Sequence, residues 1–454
     1  LNRVIEKAIR GSAPAQINVP RDYWCQVIDI DLPPIVRLER QGGGADAISK
    51  AADLLSKAKF PVILSGAGVV IGGAIEETKK LAEKLDAPVC SGYQHNDSFP
   101  GSHPLAVGPL GYNGSKAAME LISKADVVLA LGTRLNPFST LPGYGIDYWP
   151  KKASIIQVDM NPDRIGLTKK VTVGISGDAK LVANQILEKL SSNAGDTDRQ
   201  KRKDLIHQTK SAWLQKLSSL DHEDDDEGTV WNKEARERDA DRMSPRQAWR
   251  AIQAGMPDDV IISSDIGNNC AIGNAYPTFE KPRKYLAPGL FGPCGYGFPS
   301  ILGAKIGCPD TPVIGFAGDG AFGISMNEMS SCAREEWPAI TMVIFRNYQW
   351  GAEKRNTTLW FDNNFVGTEL DPELSYAKVA DACGLKGVTV RTMEETTNAI
   401  KQSCEDQKKG ITTFIEVILN QELGEPFRRD AMKKPVRVAG IDKKDMRPQK
   451  SLNG

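Results

Sequence analysis

Two positions 28 residues apart each offer an oxygen ligand at the end of an apolar run: the carboxylate of Asp319 and the side-chain amide of Asn347. Asp319 sits in Gly318-Asp319-Gly320-Ala321, directly after the run 313–316, the kind of segment a buried parallel strand needs. Asn347 follows Arg346 at the end of a second run, 341–345. A carboxylate and an amide suit a hard cation such as Mg²⁺, which takes few protein ligands and completes its shell with phosphate oxygens. The glycines flanking Asp319 let the backbone come close to a phosphate, and a helix N-terminus behind them favours its negative charge. Gly-Asp-Gly alone is an ordinary turn. The paired strand ends make it a candidate Mg²⁺–diphosphate site.

Two more turns belong with it. Gly267-Asn268-Asn269 follows the run 260–264 and Asp265, and Gly292-Pro293-Cys294-Gly295 precedes a segment that reads as a helix through Ala304. Each alone is a surface turn. In open parallel sheets, however, ligands lie beyond the carboxyl ends of the strands, where Asp265, Asp319 and Asn347 all fall.

The elements that must position these residues read as α/β, with two doubly wound parallel-sheet domains. From 44 to 191, helical and apolar strand-like segments alternate: a helix over 47–58, strands at 61–65, 87–90, 125–134 (with its exit turn) and 154–159, and a helix over 76–85. From 244 to 420 the pattern repeats, opened by Ser244-Pro245, an N-cap followed by proline at the first helical position. Between them, 192–243 is dense in both signs of charge and reads as solvated helix and linker, with Glu223 to Glu227 an acidic cluster inside it. Residues 1–35 look like one helix and one strand, too little to bury a sheet, so the chain is expected to be the C-terminal part of a longer protein. A tail follows from 421 to 454.

Gly66-x-Gly68 after a strand hints at a dinucleotide turn, but the third glycine position is Ile71, and a tight strand-to-helix turn accounts for it. Lys+Arg and Asp+Glu are equal at 57 each, which excludes a global field for nucleic acid or an anionic membrane. Eight cysteines lack any Cys-x-x-Cys and only four histidines are present, so neither zinc site nor disulfide framework is indicated. No apolar run reaches the length of a membrane span. A cytoplasmic enzyme with reduced thiols is the expectation.

Gly-Asp-Gly followed after just under thirty residues by Asn resembles the diphosphate-binding motif of thiamine-diphosphate enzymes, with Arg346-Asn347 where that family usually carries two asparagines. The resemblance implies thiamine diphosphate and Mg²⁺, with Asp319, Asn347 and the backbone carbonyl of Gln349 on the cation. It also implies Gly267, Asn268, Asn269, Gly318, Gly320 and Ala321 around the diphosphate, and Gly292 and Cys294 at the aminopyrimidine end. Relatives carry a bulky residue at the Cys294 position, under the bend of the cofactor. The segment 44–191 resembles the central domain of enzymes such as acetolactate synthase, and 1–35 the end of a pyrimidine-binding domain. The catalytic Glu of the family lies in that domain, so no residue of this chain is assigned the role, and residues 1–454 alone are expected to be inactive. The family's sites lie between subunits, which implies a homodimer or homotetramer.

Three stretches, 334–338, 345–355 and 427–440, resemble more narrowly a branch of acetyltransferases that act on the small molecules sulfoacetaldehyde and phosphate. That reaction must bind two oxyanions, for which Arg346, Lys354, Arg355, Arg428 and Arg429 are the candidate donors. Acetolactate synthase-like condensation of 2-oxo acids and a non-catalytic relative that keeps the fold are the alternatives.

Overall fold

The computed structural model describes residues 1–422 except 12, 32–33, 35–38, 195, 197, 220–236, 290, 335 and 361–363, and omits the side chains at 355–356 and 358–360. Twelve strands form two six-stranded sheets among the described residues. The first contains β1 (Pro61–Ser65), β2 (Val89–Ser91), β3 (Ala106–Pro109), β4 (Val127–Leu131), β5 (Ser154–Asp159) and β6 (Val173–Ser176) in the order β3-β2-β1-β4-β5-β6. The second contains β7 (Ile261–Ser264), β8 (Tyr285–Leu286), β9 (Val313–Gly318), β10 (Thr341–Arg346), β11 (Lys386–Val390) and β12 (Thr413–Ile418) in the order β11-β12-β10-β9-β7-β8. The recorded pairings are parallel.

Continuous apolar strands follow from burial on both faces. In the second sheet, Ile262, Ile314, Phe316, Val343, Phe345, Ile415 and Val417 face one layer with Trp249. The alternate residues Ile261, Val313, Ala317, Met342, Ile344 and Phe414 face the other, with Phe298 and Phe322. The chain leaves β7 toward β8 on one side and returns to β9 on the other, so the strand order reverses between β7 and β9. A crevice opens at such a reversal, between the turns that follow the two strands.

The chain divides into two compact units, residues 1–88, 125–136 and 151–202, and residues 89–124, 137–150 and 203–454. Helix caps in the second unit are sequence-encoded. Ser244 and Gln247 form a capping box at helix Pro245–Gly255, and Thr392 and Glu395 do the same at helix Met393–Gln407.

Several expectations change. The helix Asn2–Gly11 forms, but no strand follows it among the described residues, since an extended segment without a neighbouring edge gains no ladder hydrogen bonds. The helix after β9 begins at Asp319 itself (Asp319–Ser325), where the sequence pattern predicts helix only from Met326 onward. In the charged segment, helix Arg199–Ser219 is not simply solvated. Arg202 is buried and donates to the carbonyls of Asp86 and Leu85, both at 3.0 Å, and of Lys59 at 2.8 Å. It thereby satisfies open carbonyls at the end of helix Ile75–Leu85. Trp213 and Leu217 join the Trp249 layer. Glu223 to Glu227 lie outside the described residues.

Candidate functional site

The turns after β7, β9 and β10 and the loop 288–294 enclose a cavity of about 320 Å³, all within the second unit. Gly267, Asn268, Asn269, Gly292, Cys294, Gly318, Asp319, Gly320, Ala321, Asn347 and Gln349 all line it. Sequence-distant residues are thus brought to one wall by the strand reversal at β7/β9. Tyr93, Phe138, Ile266, Phe291, Trp350 and Glu353 also line the cavity, although nothing in the sequence reading singled them out.

Asp265, the residue after β7, organises the glycine-rich turn. It is fully buried. Its Oδ1 accepts from the N–H of Ile266 at 2.8 Å and of Gly295 at 3.1 Å, and its Oδ2 from Gly297 N–H at 2.7 Å. Burial pushes its carboxyl above the usual range, against these backbone donors. Gly292 and Gly295 have φ of 71° and 84°, a conformation that suits glycine and lets the turn fold back around the carboxylate. Cys294 is exposed at this turn. Ile266 also lines the cavity beside this turn, its Cδ1 3.8 Å from where a Cβ on Gly292 would lie.

Asp319 is buried, and its carboxyl is pushed up to about 6 by desolvation, which outweighs the opposing Arg346 guanidinium and the Tyr348 N–H. The next residue after Asn347, Tyr348, has φ of 61°, left-handed for a residue with a side chain. This reversal carries its N–H to 2.6 Å from Asp319 Oδ2. Asn268 Oδ1 accepts from Tyr112 at 3.3 Å, and the Asn269 carbonyl accepts from Trp249 Nε1 at 2.7 Å.

Whether a cation and a diphosphate fit here is tested by what the wall leaves unsatisfied. Asn269 Oδ1 and Gln349 Oε1 are buried without a hydrogen-bond partner among the described residues, a costly state for a polar atom. The Asp319 carboxylate lies desolvated beside them. The wall's candidate ligands are oxygens, the donor type that hard cations take. No three His, Cys, Asp or Glu side chains cluster among the described residues, so a cation here would draw the rest of its shell from a phosphate or water. The residues fit the group.

The candidate oxyanion donors do not converge on this cavity. Arg346 is fully buried, in an ion pair with Asp319 and bonded to main-chain carbonyls. Lys354 pairs with Glu369 and reaches Gln421 Oε1 at 3.3 Å. Neither lines the wall, and no other Lys or Arg does among the described residues. The Arg355 side chain, Arg428 and Arg429 lie outside the described residues. Buried Asp319 claims Arg346 and the exposed Glu369 claims Lys354, the two described cations that the sequence offered to substrate.

Comparisons with known proteins agree with this geometry. Residues 48–186 match the family model of the thiamine pyrophosphate enzyme central domain, and residues 265–417 that of the C-terminal TPP binding domain. A probable sulfoacetaldehyde acetyltransferase of Rhizobium meliloti (strain 1021) is 78% identical over 452 residues, covering 100% of this chain and 76% of the relative. The sulfoacetaldehyde acetyltransferase of Castellaniella defragrans is 48% identical over 96% of this chain and 73% of its own length. A probable acetolactate synthase large subunit of Methanococcus aeolicus is 30% identical over 86% of this chain and 65% of its own. Among solved structures, benzoylformate decarboxylase from Polynucleobacter necessarius superposes with a TM-score of 0.68 at 20% identity, over 89% of this chain and 70% of that one, a likeness of fold. The chain belongs to the thiamine pyrophosphate enzyme family, within its sulfoacetaldehyde acetyltransferase branch.

Proposed function

We propose that this chain is the core of a thiamine-diphosphate- and Mg²⁺-dependent acyltransferase that converts sulfoacetaldehyde and phosphate into acetyl phosphate and sulfite. The reading is supported by relatives named for that aldehyde at 46–78% identity across nearly the whole chain. The observation that carries it is the cavity at the β7/β9 reversal, with a desolvated Asp319 in its wall.

Asp319, Asn347 and the Gln349 carbonyl would hold Mg²⁺, and Gly267, Asn268, Asn269, Gly318, Gly320 and Ala321 would surround the diphosphate. Gly292 and Cys294, with Ile266 beside them, would face the aminopyrimidine end. When bound, thiamine diphosphate supplies a nucleophilic carbon and an electron sink. The overall reaction then needs no outside oxidant: the aldehyde carbon rises to the acyl level, the carbon that bore sulfur becomes methyl, and sulfite leaves with the C–S bond pair. Phosphate accepts the acyl group. The chain's own work is to fix the diphosphate from below, to keep the turn 292–297 rigid through Asp265, and to line the cavity with Tyr93, Phe138 and Trp350 against water. A homodimer or homotetramer in the cytoplasm completes the proposal.

The test is sulfite release by the intact gene product, supplied with sulfoacetaldehyde, thiamine diphosphate and Mg²⁺, with and without phosphate. Phosphate-dependent sulfite with acetyl phosphate as co-product supports the proposal. No sulfite with the cofactor demonstrably bound discards the substrate, and pyruvate consumption would then point to 2-oxo acid condensation.

A further inference from the structure

We infer that Arg346 is a positioning residue: from beneath the cavity its guanidinium clamps the Asp319 carboxylate in the one orientation that presents Oδ1 to the cation. The inference rests on the reading of Asp319 as a cation ligand. Arg346 is the last residue of β10, its side chain 1% exposed, and both Nη atoms of its fork are engaged while Nε is left without a hydrogen-bond partner among the described residues. Nη1 donates to Asp319 Oδ2 at 3.1 Å. Nη2 donates to the carbonyl of Leu374 at 2.9 Å and to that of Asp371. Nε lies 3.6 Å from Glu416 Oε1, an ion pair beyond hydrogen-bond reach. The guanidinium faces the rings of Tyr348 and Tyr376, with Cζ 4.2 and 5.4 Å from their centroids. A planar fork fixed at both Nη atoms and covered by rings cannot swing.

The same elements hold the rest of Asp319. Tyr376 Oη donates to the Asp319 carbonyl at 2.9 Å, and the Tyr348 N–H to Oδ2 at 2.6 Å. Glu416 is itself held, by Tyr376 N–H at 3.2 Å and Ser375 Oγ at 2.7 Å. An ionised carboxylate offers about four acceptor sites, two on each oxygen. On Oδ2 both are taken, by Arg346 and Tyr348 N–H, while among the described residues Oδ1 accepts only the Gly320 N–H at 2.9 Å. One acceptor direction on Oδ1 is left for a cation. The charges agree: two buried carboxylates, Asp319 and Glu416, share one guanidinium, which leaves the cluster one positive charge short of neutral. Arg346 alone cannot neutralise the site, but it sets the direction from which a second cation does.

The experiment compares Arg346→Gln, the double variant Arg346→Gln/Glu416→Gln, and Asp319→Asn in the intact gene product. Affinities for Mg²⁺ and for Ca²⁺ are measured by calorimetry at saturating thiamine diphosphate. The double variant removes both charges of the Arg346–Glu416 pair, so it reads the clamp even if the single variant leaves Glu416 unpaired and unfolds. Loss of such a supporting group costs about 10- to 100-fold in metal affinity, and that loss of Mg²⁺ affinity is expected for the double variant, which keeps the net charge of the cluster, while in the single variant the unpaired Glu416 charge attracts the cation and offsets part of it. Ca²⁺ tolerates irregular geometry and Mg²⁺ does not, so Ca²⁺ affinity falls less and the Mg²⁺/Ca²⁺ preference shrinks. A merely structural role would lower both alike. A double variant that keeps wild-type Mg²⁺ affinity and preference, while Asp319→Asn loses Mg²⁺, overturns the inference. If Asp319→Asn itself binds Mg²⁺ as the wild type does, the underlying reading of Asp319 fails instead.

Discussion

Replacing Asp265 by asparagine should loosen the turn 292–297 by a predictable amount. Gly297 N–H lies 2.7 Å from the Oδ2 of the fully buried Asp265. If the Asn carbonyl takes the Oδ1 place, it keeps Ile266 and Gly295, and its amide nitrogen meets the Gly297 N–H donor to donor. The Gly297 donor is then orphaned, at about 1–3 kcal/mol. The two retained bonds drop from charge-assisted to neutral, a further loss. Against this, the variant no longer buries a charge, a cost that the upward shift of the Asp265 carboxyl records. With those two opposed, the orphaned donor sets the scale, about 1–3 kcal/mol or roughly 5- to 150-fold in a local opening equilibrium. Hydrogen exchange at Gly295 and Gly297 reads this directly. Both amides should exchange that much faster in the variant, while amides of β9 and β10 keep their rates. Unchanged exchange at Gly297 would refute the reasoning, because the turn would then be held by something other than Asp265.

The Asp319 carboxyl titrates at about 6 against an ordinary 3.8, so through that window the folded, cation-free protein binds the proton more tightly and loses stability as pH rises. Mg²⁺ needs the carboxylate, so its affinity moves the opposite way and falls about tenfold per unit below about pH 6; affinity that stays flat from about pH 5 to 7 in a Mg²⁺ titration would contradict this. A Cβ at Gly320 would meet Trp350 ring atoms at 2.8–2.9 Å, and the Trp350 backbone is tied to Thr368 at 2.8 Å. Gly320→Ala should therefore destabilise by about 1–3 kcal/mol in denaturation and weaken the cofactor. At Gly303, inside helix Gly297–Gly307, a Cβ meets nothing within 4 Å, and Gly303→Ala should stabilise by about 0.5–1 kcal/mol. Gly267 has open space around a Cβ but φ of 129°, so Gly267→Ala should cost about 1–3 kcal/mol through backbone strain alone, which thermal denaturation would register.

Much of the cavity was legible because one rule connects sequence to place. Apolar runs of strand length announce buried parallel strands, and the residues just after them fall at one edge of the sheet. Asp265, Asp319 and Asn347 could be located without knowing any contact. The strands β3, β6 and β8 escaped, since glycine or proline interrupts β3 and β6 and β8 is only two residues long. Tyr93 and Phe138 escaped for another reason. They stack at 5.8 Å on the cavity wall, but they lie far along the chain from the turns that they face, and an isolated aromatic in a loop has no local pattern. The left-handed backbone at Tyr348 was equally silent, because the residue type argues against it. It forms because Asp319 Oδ2 accepts its N–H and Arg346 stacks on its ring.

Arg346 and Asn347 show where linear reading fails. Side by side in sequence, both were assigned to the cavity, one for substrate and one for the cation. Along β10 the side chains alternate, with Met342 and Ile344 in the layer of Phe298, Phe322 and Tyr376, and Val343 and Phe345 in the layer of Trp249. Arg346 keeps the parity of Met342 and Ile344, which sends it beneath the sheet edge to Tyr376 and Glu416. Asn347 lies past the last ladder residue, where parity no longer binds it, and it lines the cavity. A basic residue at a strand end is therefore a substrate donor only when its parity points outward. Here parity delivers it to the buried carboxylates, and the oxyanions of substrate must be met by groups other than Arg346.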